Sequence, residues 1–87
     1  MGKAIKPPTK QSIIRKTPGV VGGEARIRDT RIPVWNLVQL HRLGLQDRAI
    51  RTYFAQPLTA ADLTAAWEYY EKHPKEVDRA IRENEAE

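Results

Sequence analysis

Thirteen consecutive residues, Gly22-Gly23-Glu24-Ala25-Arg26-Ile27-Arg28-Asp29-Thr30-Arg31-Ile32-Pro33-Val34, divide the chain into two kinds of structure. Gly22-Gly23 can supply the positive φ of a tight reversal. Ala25 and Ile27 alternate with Glu24, Arg26 and Arg28, the period of a strand with one buried face, so the arginines are expected on its open side. Asp29-Thr30 favours a second turn, and Pro33, with φ already set, suits the first turn of a helix. The residues before this stretch read as a tail and one short strand. Those after Val34 read as helix.

Residues 1–10 mix lysine with proline (Lys3, Lys6, Pro7, Pro8, Lys10) and are expected to be a disordered basic arm rather than a signal peptide. Residues 11–87 form a single small domain, with a β-ribbon over 11–32 and a helical part over 33–87. Within the ribbon, Ser12-Ile13-Ile14-Arg15 is short and β-branched and reads as the first strand, turned by Thr17-Pro18-Gly19. A lone two-stranded ribbon is marginal in water, which favours a homodimer that pairs these N-terminal strands.

Helical spacing and stop signals give four helices. The first runs from about Val34 to Leu43, carries Val34, Leu37, Val38 and His41 on its inner stripe with Leu40 beside it, and ends at Gly44. Trp35 lies off that line. The second runs from Asp47 to about Phe54 and is expected to bury Ala49, Ile50, Tyr53 and Phe54, leaving Arg48 and Arg51 outside. Thr59 is the N-cap of the third, with Asp62 completing a shortened capping box, and Leu63, Ala66, Trp67 and Tyr70 face inward. Pro74 opens the fourth, which buries Val77, Ala80 and Ile81. The fold class expected is mainly α: a three-helix helix-turn-helix core, a short N-terminal β-ribbon and a C-terminal fourth helix.

Composition narrows the function classes. With 87 residues and no cysteine, disulfides and thiolate metal sites are excluded, and a reducing cytoplasmic setting fits. No apolar run approaches the roughly 20 residues of a membrane span. Residues 1–51 hold eleven Lys/Arg against three acids, a net of +8, while residues 52–87 hold four against eight, a net of −4. The basic half suits a polyanion; the acidic half suits solvent or a basic protein surface. His41 reads as a packing residue and His73 as a turn or capping residue, with no ligand spacing between them, so neither a metal, a cofactor, a small-molecule substrate nor an enzyme is expected.

Two surfaces are candidates for DNA. One is the ribbon, where Arg26 and Arg28 share a strand face opposite Arg15. The other is the helix-turn-helix, where Arg48 and Arg51 would clamp phosphates and Thr59 would open a recognition helix poor in base-reading side chains. Arg31, between turn and helix start, is expected to pair with a carboxylate and fix that junction. Arg79 and Arg82 on the short fourth helix are candidate contacts to a protein partner.

The thirteen-residue stretch, Leu43-Gly44, Pro57-Leu58-Thr59, Ala66-Trp67-Glu68-Tyr69-Tyr70 and Glu76-Val77-Asp78-Arg79-Ala80-Ile81 together resemble the family catalogued as domain of unknown function 433. The resemblance runs from about Ile13 to Asn84. It implies a homeodomain-like fold and the role of antitoxin in a bacterial toxin–antitoxin pair, with a PIN-type ribonuclease toxin as partner and operator DNA as second ligand. A stand-alone DNA-binding regulator and an interaction module that touches no nucleic acid are the alternatives. The chain departs from the family pattern at Asp29, where Gly is common, and at Gln46, where Ser or Thr usually opens the second helix.

Overall fold

A computed structural model describes residues 13–85; the expected basic arm, residues 1–10, lies outside the described residues. The chain forms strand β1 (Ile14–Arg15), a short turn of 3-10 type at Val21–Gly23, strand β2 (Arg26–Ile27), and helices α1 (Val34–Arg42), α2 (Asp47–Arg51), α3 (Ala60–Lys72) and α4 (Pro74–Glu85). The mainly helical class with a two-stranded antiparallel sheet is the one expected.

β1 pairs antiparallel to β2 in the register Ile14↔Ile27 and Arg15↔Arg26. β2 is also occupied on its other edge. Ile27 N–H donates to the Ile32 carbonyl at 3.0 Å and Val34 N–H to the Ala25 carbonyl at 2.9 Å, bracketing a bridge between Arg26 and Pro33. The thirteen-residue stretch therefore folds back on itself as a hairpin. Gly22 and Gly23 take φ of +69° and +80°, as a tight reversal requires. Pro33 sits one position earlier than expected, as the N-cap of α1 with extended ψ.

One apolar core joins ribbon and helices. Ile27, Leu37, Ile50, Leu63 and Val34 are its largest fully buried apolar side chains, and Val77 and Ile81 of α4 belong to the same cluster. α1 packs against both α3 and α4. α4 has Val77, Ala80 and Ile81 buried, as its spacing predicts, so its apolar face is committed to its own domain.

Helix ends obey local chemistry. At the end of α1, Gly44 takes φ +102°, its N–H donates to the His41 carbonyl at 3.0 Å, and Leu45 N–H donates to the Leu40 carbonyl at 3.2 Å. Those two bonds are the paired closure of a Schellman turn, with Leu45 folded onto the core. At α3, Asp62 N–H donates to Thr59 Oγ1 at 3.0 Å and Thr59 N–H donates back to Asp62 Oδ2 at 2.9 Å, a complete capping box.

Two expectations about the helices are corrected. α2 stops at Arg51, so the helical spacing that places Tyr53 inward does not hold and Tyr53 is 59% exposed; Ala49, within the helix, is exposed too, and of the α2 residues only Ile50 is fully buried. Gln46 at its N-cap makes no side-chain capping bond, consistent with so short a helix. His41 is exposed rather than inward, because Leu40 occupies the inner position; the imidazole rests on the Trp67 ring, 5.3 Å between centroids.

Candidate nucleic-acid and partner interface

The surface is organised by where the arginines are held. β2 does not expose alternate residues: Ala25, Arg26 and Ile27 are all buried, because the 28–31 loop folds over the side on which alternation places Arg26 in solvent. The Arg26 guanidinium donates to the Arg28 carbonyl, to the Thr30 carbonyl at 3.2 Å and to Thr17 Oγ1 at 2.9 Å. Its Nε is buried with no hydrogen-bond partner among the described residues. Arg26 thus braces the loop from within and is withdrawn from any DNA-contacting face.

Arg28 is not a strand residue either. It takes φ +43°, a left-handed conformation that disfavours a side chain with Cβ by roughly 1–2 kcal/mol. Its Nε donates to Asp62 Oδ1 at 2.9 Å and its Nη2 to Asp62 Oδ2 at 2.8 Å, a two-pronged pair that sets its orientation. Asp62 is 1% exposed and caps α3 with the same carboxylate. The Arg28 guanidinium, aided by the Thr59 N–H, holds the Asp62 carboxyl below the usual range against the opposing effect of burial. Ribbon and third helix are therefore fastened by a single buried carboxylate.

The sequence assigns that junction role to Arg31, and this expectation is corrected: Arg31 is exposed and makes no ion pair among the described residues. Arg15 pairs with Asp29 at 2.6 Å, so the departure from glycine at position 29 supplies a partner for the arginine of β1. Arg42 donates to Tyr70 Oη at 2.6 Å and to Asp78, tying α1 to α3 and α4.

Beside the ribbon, burial pushes the Tyr69 hydroxyl up to about 12, and its hydrogen bond to Glu76 Oε2 at 2.6 Å adds to that. Burial would raise Glu76 too, but the Tyr69 hydroxyl and the Lys16 ammonium at 3.0 Å outweigh it and hold the carboxyl low. Because the folded-state value of Tyr69 lies above that of a free phenol, its contribution to stability is intact below about pH 10 and is lost as pH rises towards 12. An absorbance titration of phenolate, wild type minus Tyr69→Phe, is expected to show this hydroxyl ionising only at the alkaline end of that window.

With these commitments made, the exposed cations without an ion pair among the described residues are Arg31, Arg48, Arg51, Lys72, Lys75 and Arg82. Arg48 and Arg51 are exposed on α2; Arg48 has no ion pair among the described residues, and Arg51 makes only a long 3.4 Å bond to the Leu58 carbonyl. Thr59 caps the start of α3, its hydroxyl accepting the cap bond and retaining its own proton to donate. The outward residues of the α3 start are Ala60, Ala61 and Thr64, with no Arg, Asn or Gln to read a base. Residues 52–59 between α2 and α3 are longer than the three or four of a compact helix-turn-helix. On α4, Arg79 is exposed and 3.9 Å from Glu83, and Arg82 is exposed. Among the described residues no group of three or more His, Asp or Glu is placed to hold a metal, and no helix is long and apolar enough to cross a membrane.

Fold and arginine lattice define a small α-rich domain whose hairpin is locked to its third helix. The family model for the protein of unknown function DUF433 matches residues 14–70, and the chain belongs to that family. It is similar to a DUF433 member protein from Anabaena variabilis ATCC 29413, known from a crystal structure, with 51% identity and a TM-score of 0.78 over 83% of this chain and 70% of that one. No curated protein matches it.

Proposed function

We propose that the chain is an antitoxin-type regulator, a non-catalytic protein that holds operator DNA on α2 and the start of α3 and a PIN-type ribonuclease toxin on its other side. The observation that carries the DNA half is the distribution of uncommitted charge. Arg15, Lys16, Arg26, Arg28 and Arg42 are all engaged within the domain, whereas Arg48 and Arg51 stand together on one short helix, both exposed and neither in an ion pair among the described residues. Two such groups one helical turn apart suit successive phosphates. A recognition helix without base-reading side chains gives weak sequence discrimination, so the contact is chiefly to backbone.

The partner half draws support from the family resemblance and from Arg79 and Arg82, which project from a helix whose apolar face is already used. A partner therefore meets α4 in place, as a charged surface, rather than as a segment that peels away. A homodimer is retained in this reading, but with β2 flanked on both edges a second copy pairs along β1. The test is co-expression with the product of the adjacent gene. The two are expected to purify together with the partner's ribonuclease activity suppressed; recovery of the free chain beside an active nuclease would refute the antitoxin role.

A further inference from the structure

Two clefts of about 450 Å³ each adjoin at the Val21–Gly23 turn, with Gly22 and Glu24 lining both. One carries Lys75 and Arg79 of α4 and the Lys16–Glu76 pair. The other carries Arg31, the half-buried Trp35, Asn36 and Asn84. We propose that this double cleft binds an extended acidic peptide segment of a partner protein. The proposal deepens the partner half of the reading above and is independent of its DNA half.

Charge and hydrogen-bonding capacity select that occupant. Arg31 is exposed and without an ion pair among the described residues, and its planar fork suits a carboxylate. Lys75 and Arg79 offer a second cationic position across the turn, since Lys16 is largely neutralised by Glu76. Trp35 lines the same cleft as Arg31, the kind of half-buried aromatic that anchors a partner's apolar side chain beside the carboxylate that Arg31 holds. The Asn36 amide makes no side-chain bond among the described residues, and Asn84 spends one N–H on the Ala80 carbonyl, which leaves its oxygen to accept. Such amides meet the N–H and C=O groups of an extended backbone. A nucleic acid fits less well. Its phosphates would meet the Glu24 carboxylate where the two clefts join, whereas a peptide presents an N–H there that Glu24 can accept.

The test selects a phage-displayed library of random dodecapeptides on the full chain and resynthesises the strongest binder with a fluorescent label. Enriched sequences are expected to carry Asp or Glu together with an apolar residue. Affinity for the labelled peptide is expected to fall by about tenfold or more in Arg31→Gln, the loss of one charge-assisted bond, and comparably in Trp35→Ala. Arg31→Gln leaves the thermal melt unchanged, because Arg31 makes no ion pair within the described residues. No enrichment, enrichment of basic peptides, or unchanged affinity in Arg31→Gln would overturn the proposal. So would displacement of the peptide by an oligothymidylate, which assigns the cleft to nucleic acid, or a dimer that dissociates in Arg31→Gln, which assigns it to a second copy. A chain that selects these peptides yet ignores promoter DNA refutes the DNA reading alone; the converse refutes only this one.

Discussion

Asp62→Ala is expected to lower stability by about 3 kcal/mol, a drop in melting temperature of roughly 15 °C for a domain of this size. One carboxylate accepts both prongs of Arg28 and the Thr59 N–H, so its removal takes away three bonds at once. The loss of the cap alone is worth about 1 kcal/mol, and hydrogen bonds to a charged group supply the remainder. The left-handed Arg28 would then lack the contact that fixes its side chain, and the 28–31 loop would lose its tie to α3 while keeping the Arg26 bonds and the Arg15–Asp29 pair. Asp62→Asn keeps an oxygen for the cap and loses the charge, so it should fall between the two. The same group sets the acid limb. Its carboxyl is held below its ordinary value, so this stabilisation is present above about pH 4 and disappears as pH falls through the depressed folded-state value. Thermal melts of wild type and Asp62→Ala across the acid range should converge, and parallel curves would show that Asp62 does not act in this way.

The double charge reversal Arg48→Glu, Arg51→Glu is expected to weaken binding to a promoter fragment by more than about 100-fold at moderate salt, since two phosphate contacts become two repulsions. The fold should survive, because both side chains are exposed and neither makes an ion pair among the described residues. In the wild type the logarithm of affinity should fall with the logarithm of salt at about 0.9 per phosphate neutralised. The same reversal at Arg28 is uninformative, since that guanidinium is already paired with Asp62. Equal binding of wild type and double variant would show that α2 does not touch DNA.

Legible and hidden features of the sequence divide along a physical line. Those set within a few residues are legible: the left-handed glycines 22, 23 and 44, the Thr59–Asp62 cap, Pro74 opening α4, and the apolar spacing of Val77, Ala80 and Ile81. Those set by distant parts of the chain are not. Alternation around Ala25 and Ile27 assumes a solvated outer face, but the 28–31 loop covers it, and a guanidinium satisfied by backbone carbonyls leaves no partner residue to read. The Arg28–Asp62 pair spans 34 residues. Its one local signal is an aspartate in place of the better helix-capping glutamate, the shorter side chain of which keeps the carboxylate buried at the helix start. Tyr53 departs from its expected place because the helix that would turn it inward ends at Arg51. Arg48 and Arg51 are exposed as their spacing indicates, while Arg31 and Arg28 exchange roles.

The central claim is that DNA lies on α2 and the start of α3. Its most direct test is backbone amide mapping by NMR while unlabelled promoter DNA is titrated into isotopically labelled protein. Salt-sensitive shifts are expected to gather at Arg48, Arg51, Thr59 and Thr64, with the Arg31–Trp35 cleft unmoved. Shifts centred on that cleft, or no shifts at low salt, would contradict the claim.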